Sequence, residues 1–324
     1  MDIELLWERA EIIKKTREFF DNKNYLEIDT PILSPDLIPE SCLEVFETSR
    51  LFPEGSRSER QPYWLIPSPE IWMKKLISRH GVSLYQICKC FRNGESSGFQ
   101  HSPEFTMLEY YTMDAGYMES LGITEELFSH LLKCRYAEDL SPPFVKITVE
   151  EAFSNWAGMD LFKSSSCPAL MEEAALALGL APMKGLSVAA LYDLIFIHKV
   201  EPMLKMNKPV ALIDYPAFVP CLAKKSSDGK TVERWELYIR GIELANCFSE
   251  EGSPTEVKAF FENEKAEKEL NALVKHKVDE DYWKIFSKPS SFPPCSGVAM
   301  GMDRLIMALC GKSTIDAVLP FPME

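Results

Sequence analysis

The chain has 324 residues, 46% of them hydrophobic, and carries 35 Lys and Arg against 49 Asp and Glu for a formal net charge of −14. That length and content serve one large globular domain or two modest ones, and no apolar run approaches the roughly 20 residues that a membrane-spanning helix requires. The acidic balance disfavours the sequence-independent phosphate attraction on which nucleic-acid binding rests; it suits a basic partner protein, or serves only to keep the surface soluble.

The N-terminal MDIELLWERAEIIKK has acids where a secretory signal carries its basic region, so it reads as part of the fold and the cytoplasm is the expected location. Nine cysteines, none in a CxxC pair, read as reduced, buried small hydrophobes and argue against zinc. From residue 4 to 22, Leu5, Leu6, Ala10, Ile12, Ile13, Phe19 and Phe20 recur at helical spacing, predicting a helix. Tyr25, Ile28 and Pro31 then predict a strand that ends or lies at a sheet edge, because proline removes a ladder donor. YWLIP at 63–67 predicts another strand, after which Ser68, Pro69 and Glu70 open a helix with a cap, a first-turn proline and a first-turn acid. The strand LYQICKCFR leads into FRNGESSGFQHSPEFTMLEYY, residues 91–111.

Residues 116 to about 205 carry long helical patterns and read as a helical insertion in a single domain spanning 1–324. Strands return at VALIDYP and again beyond the polar, glycine-containing loop KKSSDGK. Short strands, tight turns and flanking helices predict an α+β architecture around a mainly antiparallel sheet.

Three segments carry the chemistry. Arg92 ends an apolar strand, a costly position for a long cation unless its guanidinium meets an anion, which could be a phosphate, a substrate carboxylate or a neighbouring acid. Phe105 shares a strand face with Met107 and Glu109 and can stack a base or join the core, while His101 reads as a loop residue contacting phosphate or backbone. In WELYIRGIELANCFSE, a two-residue turn at Arg240 and Gly241 pairs Tyr238 with Glu243 and Glu236 with Ala245. Glu236 and Glu243 then lie diagonally on one face, as a magnesium pair or as a solvated surface. In the last segment Gly297, Ala299 and Gly301 recur at period two and bare one strand face, which admits a close ligand or a tightly packed helix. Asp303 reads as a helix cap, and Arg304 opens the helix, where its charge opposes the dipole unless it binds an anion. Together these parts describe an ATP-dependent enzyme with a small cationic substrate.

Pro31, the FR…E…HSPEFTMLEYY segment and the GMDR segment resemble motifs 1, 2 and 3 of the class II aminoacyl-tRNA synthetases. SPE at 68–70, PEFTMLEYY, GIELAN and GVAMGMDR resemble the lysyl branch, over nearly the whole chain from about Glu8 to Leu319. Too few residues precede the first motif to encode the anticodon-binding barrel of those synthetases. With the acidic balance, this resembles the short lysyl paralogues that attach (R)-β-lysine to a lysine of translation elongation factor P.

The resemblance implies ATP and Mg2+ as cofactors, elongation factor P as acceptor, (R)-β-lysine or lysine as small substrate, a homodimer and no role for tRNA. It places Arg92 on the α-phosphate and substrate carboxylate, Glu95 on the adenine amino group, Phe105 on the adenine ring and Arg304 at the far end of ATP. Further nucleotide contacts fall to Asn93, His101, Ser102, Glu243, Leu244 and Gly301. Glu236 and Glu243 would bind magnesium. The diamino acid falls to Ser68, Glu70, Glu109, Tyr111, Asn246 and Glu250, with Ala299 beside it. Several positions depart from the lysyl pattern. Glu95 stands one place later, the loop before His101 is one residue longer, Ser102 replaces asparagine and Cys247 replaces glycine. Ala299 stands where the synthetases have glycine and the β-lysine ligases have alanine, and one methyl in a packed pocket shifts selectivity by roughly 1–3 kcal/mol. The alternatives are a truncated lysyl-tRNA synthetase-like enzyme that activates α-lysine for tRNA or another acceptor, and an inactive regulatory paralogue.

Overall fold

In the computed structural model, which describes residues 2–51, 60–94, 99–133, 138–287 and 292–322, the first element is the helix Ile3–Asn22, capped by Asp2 accepting from the Glu4 N–H at 3.0 Å. Its buried face is Leu5, Arg9, Ile12, Thr16, Phe19 and Phe20, a clean 3.6-residue period. Two of these positions are polar, and Ala10, expected in the apolar stripe, is exposed. The stripe was incomplete as a guide because Arg9 is buried with partners of its own.

The strands in chain order are β1 (Leu26–Glu27), β2 (Leu33–Ser34), β3 (Glu47–Arg50), β4 (Gln61–Leu65), β5 (Leu84–Phe91), β6 (Glu104–Met113), β7 (Val145–Thr148), β8 (Val210–Pro216), β9 (Thr231–Ile239), β10 (Ile242–Ser249) and β11 (Cys295–Gly301). Contacts divide the chain into two compact units, Met1–Ala115 with Glu250–Glu324, and Gly116–Ser249.

In the first unit the strand order β1-β5-β6-β11 is antiparallel except for the parallel pair of β1 with β5. A smaller sheet, β2-β4-β3, packs Trp64 and Ile66 against Leu37 and Val45. The helix Glu70–His80 follows SPE and ends at Gly81, whose left-handed φ of 58° closes it. Pro69 takes the N-cap position, one residue later than the sequence predicts, yet the Ser68 hydroxyl still accepts from the Glu70 N–H at 3.0 Å. The helix Met302–Leu309 leaves β11 with Gly301 as its N-cap, so Asp303 is not the cap. Instead Asp303 turns inward, accepting from the Thr106 N–H at 2.6 Å and pairing with Arg9 at 2.6 Å, an ion contact with both side chains buried. Arg9 also donates to Thr106 Oγ1 at 3.0 Å and to the Val318 carbonyl at 3.4 Å.

The second unit orders its strands β10-β9-β8-β7, antiparallel except for β7 with β8. Helices Tyr117–Leu132, Pro168–Ala177 and Val188–Ile195 supply most of the expected helical segment. A strand also lies inside it, β7, where Val145, Ile147 and Thr148 supply the β-branched residues that suit a sheet edge. The core gathers Phe153, Tyr192, Leu191, Ile195, Val210 and Leu212. Eight cysteines among the described residues are free thiols, and none of the described helices is long and apolar enough to cross a membrane.

Breaking the buried pair should be far costlier than removing it. Asp303→Asn leaves Arg9 buried without its counter-charge and is expected to lower unfolding free energy by about 3–5 kcal/mol, measured by urea denaturation. Arg9→Met with Asp303→Leu should recover much of that loss, and an Asp303→Asn midpoint equal to wild type would refute the assignment.

Candidate active site

Pairing of β6 with β11 builds the first unit's cluster. The register opposes Gly297 to Tyr111, Ala299 to Glu109 and Gly301 to Met107, so the small residues and the polar ones share one face. A Cβ on Gly297 would lie 2.5 Å from Tyr111 Cε1 and 2.7 Å from Glu250 Oε1, which only glycine avoids. The bared face is therefore filled, at Gly297, by site side chains packed on the backbone.

Glu109 is buried and held at both oxygens: Ser68 donates to Oε2 at 2.7 Å and Tyr111 to Oε1 at 2.8 Å. Beside it the Lys74 ammonium, fully buried, contacts Glu70 at 2.6 Å and Glu250 at 2.7 Å. Burial, reinforced by the charge of Glu70, pushes the Glu109 carboxyl up to about 8, and burial pushes Glu250 up to about 7 against the opposing pull of Lys74. Burial works against the Lys74 charge, but Glu250 and Glu70 outweigh it and hold the ammonium well above its usual range. The structure thus brings Ser68, Glu70, Glu109, Tyr111, Glu250 and Ala299 together in one acid-rich cluster.

The residues expected to meet an anion lie on the same unit. Arg92 stacks its guanidinium over the Phe105 ring at 5.2 Å, and that half-buried ring is placed on β6 two residues before Met107. Asn93 is tied to the chain at Glu44 and Val45 by its N–H (2.9 Å) and its side-chain amide (3.3 Å), so its first role here is to anchor the loop. His101 is half-buried and Ser102 buried. Arg304, in the first turn after Gly301, donates Nε–H to the Gln100 carbonyl at 3.1 Å. Glu95 lies outside the described residues.

In the second unit, Arg240 and Gly241 take φ of 51° and 82°, the two left-handed residues of the expected tight turn, and Glu243 pairs with Tyr238 as expected. Glu236, however, pairs with Asn246 and not with Ala245, because a bulge interrupts the register between Glu243 and Ala245. The extra residue moves Asn246 onto the face that carries Glu236, and leaves Leu244 buried. Glu236 accepts from Tyr215 at 2.5 Å, Tyr238 at 2.6 Å and Arg234 at 2.5 Å, while Arg234 also donates to Asn246 Oδ1 at 3.2 Å. Glu243 is exposed. Among the described residues no three His, Cys, Asp or Glu side chains converge as a metal cage. Two carboxylates on one hairpin face remain a fitting donor set for magnesium, whose other ligands are phosphate and water; Arg234 is their internal competitor.

Sequence reasoning missed Lys74, Arg234 and Gln86. Gln86, opposite Glu109 on β5, accepts from Thr30 at 2.9 Å and has a buried amide nitrogen with no partner among the described residues. Nothing in their spacing distinguishes these residues from surface polar groups. The one available signal was Lys74 four residues after Glu70, on a helix whose neighbouring positions Ile71, Met73 and Ile77 are apolar.

A family model for tRNA synthetases class II (D, K and N) matches residues 3–324. Curated relatives named elongation factor P–(R)-β-lysine ligase include one from Avibacterium paragallinarum, 35% identical over 99% of this chain and 96% of the relative. Those from Hamiltonella defensa and Vibrio cholerae are each 34% identical, over 98% and 99% of this chain and 95% of each relative. The chain therefore belongs to the class II (D, K and N) tRNA synthetase family and, within it, to the group of the elongation factor P–(R)-β-lysine ligases.

Proposed function

We propose that this protein activates (R)-β-lysine as an aminoacyl adenylate with ATP and transfers it to a lysine ε-amine of elongation factor P. The observation that carries this reading is the buried pocket in which Glu70, Glu109 and Glu250 meet a small-residue strand face. Such a pocket is built for a ligand with more than one ammonium group, and the acceptor follows from the names of the relatives. The whole chain serves as one catalytic domain, with the helical segment at about 116–205 as an insertion, acting in the cytoplasm as a homodimer without tRNA.

In the first step the substrate carboxylate attacks the α-phosphorus and pyrophosphate leaves. Arg92, already braced over Phe105, neutralises charge on the carboxylate and the α-phosphoryl oxygens. The adenine takes the other face of Phe105, with Glu95 on its amino group, and Arg304 holds the far end of the triphosphate. Asn93, His101, Ser102, Leu244 and Gly301 complete the nucleotide contacts. Glu236 and Glu243 would hold magnesium, which supplies charge neutralisation on the phosphates. Ser68, Tyr111 and Ala299 shape the amino-acid pocket. In the second step the acceptor amine attacks the activated carbonyl and AMP leaves, a reaction in which positioning suffices because adenylate is a good leaving group.

Pyrophosphate exchange with magnesium should be stronger with (R)-β-lysine than with α-lysine, because the Ala299 methyl narrows the space opposite Glu109. A preference for α-lysine would transfer the assignment to a synthetase-like enzyme. Arg92→Ala should lower the exchange rate by about a hundredfold or more, and an unchanged rate would remove Arg92 from the mechanism.

Acids held at about 7 and about 8 must lose their protons before they can face ammonium groups. The KM for the amino acid is therefore expected to fall by about tenfold between roughly pH 6 and pH 8, with no matching change for ATP. Ligand-free stability should decline over the same interval, since the folded protein keeps protons that the unfolded chain releases. A flat KM profile would show that these carboxyls do not contact the substrate's amines.

A further inference from the structure

Three glutamates converge on the amino-acid pocket, yet a diamino acid brings only two ammonium groups. Lys74 resolves the mismatch. It rises from the helix Glu70–His80 among the buried residues Ile71, Met73 and Ile77, is fully buried itself, and contacts Glu70 and Glu250 at 2.6 and 2.7 Å. We propose that Lys74 is a positioning residue that bridges Glu70 and Glu250 and holds both turned toward the amino acid, so that three acids and one internal ammonium stand ready for a diammonium substrate. The inference rests on the diamino-acid reading given above.

A merely structural lysine would not sit here. An unbranched apolar side chain would fill the same space among Ile71, Met73 and Ile77 without the cost of dehydrating an ammonium, and replacing a buried ion pair by packed apolar atoms is often neutral or stabilising. The charge must therefore be retained for the pocket's electrostatics. With Arg92 opposite the substrate carboxylate, the account also closes: three carboxylates and one substrate carboxylate stand against Lys74, Arg92 and two ammonium groups. Without Lys74, the buried Glu250 and the half-buried Glu70 that one ammonium now bridges would face each other, and such pairs take up a proton. The other titratable groups that feel this cluster are Glu109, Tyr111, Tyr282 and Cys295, with Glu40 acting on Glu70. Tyr282 is buried and its hydroxyl has no hydrogen-bond partner among the described residues.

The test is the pH profile of KM in pyrophosphate exchange, run on wild type, Lys74→Met and Lys74→Gln with thermal melting in parallel. The inflection for (R)-β-lysine should move upward by at least one pH unit in the neutral variants. Their amino-acid KM should be at least tenfold above wild type near pH 6 and converge on it near pH 9. KM for ATP, and kcat at saturating amino acid, should stay within about twofold. Lys74→Arg, which keeps the charge, should hold the inflection near its wild-type place. A folded neutral variant with an unmoved inflection overturns the inference, as does a variant in which kcat, both KM values and melting temperature fall together at every pH. Loss of exchange with every diamino acid in the wild type itself would instead sink the underlying reading, and the role of Lys74 with it.

Discussion

The antiparallel pairing of β6 with β11 is the constraint on which the first unit's chemistry depends. It is in unbroken register from Cys295 opposite Met113 to Gly301 opposite Met107. Because opposed residues share a face, this one register sets Glu109 and Tyr111 beside a stripe of Gly297, Ala299 and Gly301. A slip of one residue would turn both carriers of polar chemistry into the other layer. The register is clamped at one end by Asp303, which binds the Thr106 N–H on β6 from the helix that leaves β11, and by Arg9, which ties both to the N-terminal helix. A buried ion pair is a poor source of stability compared with apolar packing. Here it links three elements at the strand end nearest Phe105, and so determines where the face begins.

The two units solve one electrostatic problem in the same way. Each gathers carboxylates and polar groups suited to external cations, and each holds an internal cation among them. Lys74 bridges Glu70 and Glu250 in the first, and Arg234 engages Glu236 and Asn246 in the second. Carboxylates left alone at that depth would protonate and lose their value as ligands for cations. The internal cations oppose that tendency and bridge the acids, and phenol hydroxyls from Tyr111, Tyr215 and Tyr238 fix their orientation. Such clusters are stable only when nearly every oxygen has a partner, which explains why both are dense with tyrosine.

What the sequence disclosed was mostly periodic. Alternation placed Glu109 on one strand face with Phe105 and Met107 and bared a second strand face at Gly297, Ala299 and Gly301, the Arg240–Gly241 pair disclosed the tight turn, and SPE disclosed the start of a helix. The errors arose where a buried polar partner overrides pattern. Asp303 has the spacing of a cap but is drawn inward by Arg9, which itself occupies a position on the helix stripe that reads as surface. Lys74 and its neighbour Lys75 differ in sequence only in that Lys74 stands four residues after Glu70. One is sealed between two glutamates, and the other, a quarter exposed, reaches Asp279 more than two hundred positions away. Long-range pairings of this kind leave no local signature. The resemblance to class II synthetases supplied the candidate site residues, and it did not supply Lys74, Arg234 or Gln86, which hold or adjoin those candidates from within the fold.

The bulge at Leu244 shows why local pattern alone could not complete the second unit's cluster. Along a regular strand Glu243 and Asn246 are three positions apart and must face opposite sides. The plain hairpin that the sequence predicts satisfies Glu236 and Glu243 but sends Asn246 to the core side, where its amide would need buried partners. Inserting one residue after Glu243 changes an odd separation into an even one, so Glu236, Glu243 and Asn246 come to share a face. The displaced register in turn buries Leu244, Ala245 and Cys247 on the strand, with no side chain at Ala245 large enough to crowd the bend. A bulge is thus the geometric requirement for a hairpin that presents polar groups from both odd and even positions on one face.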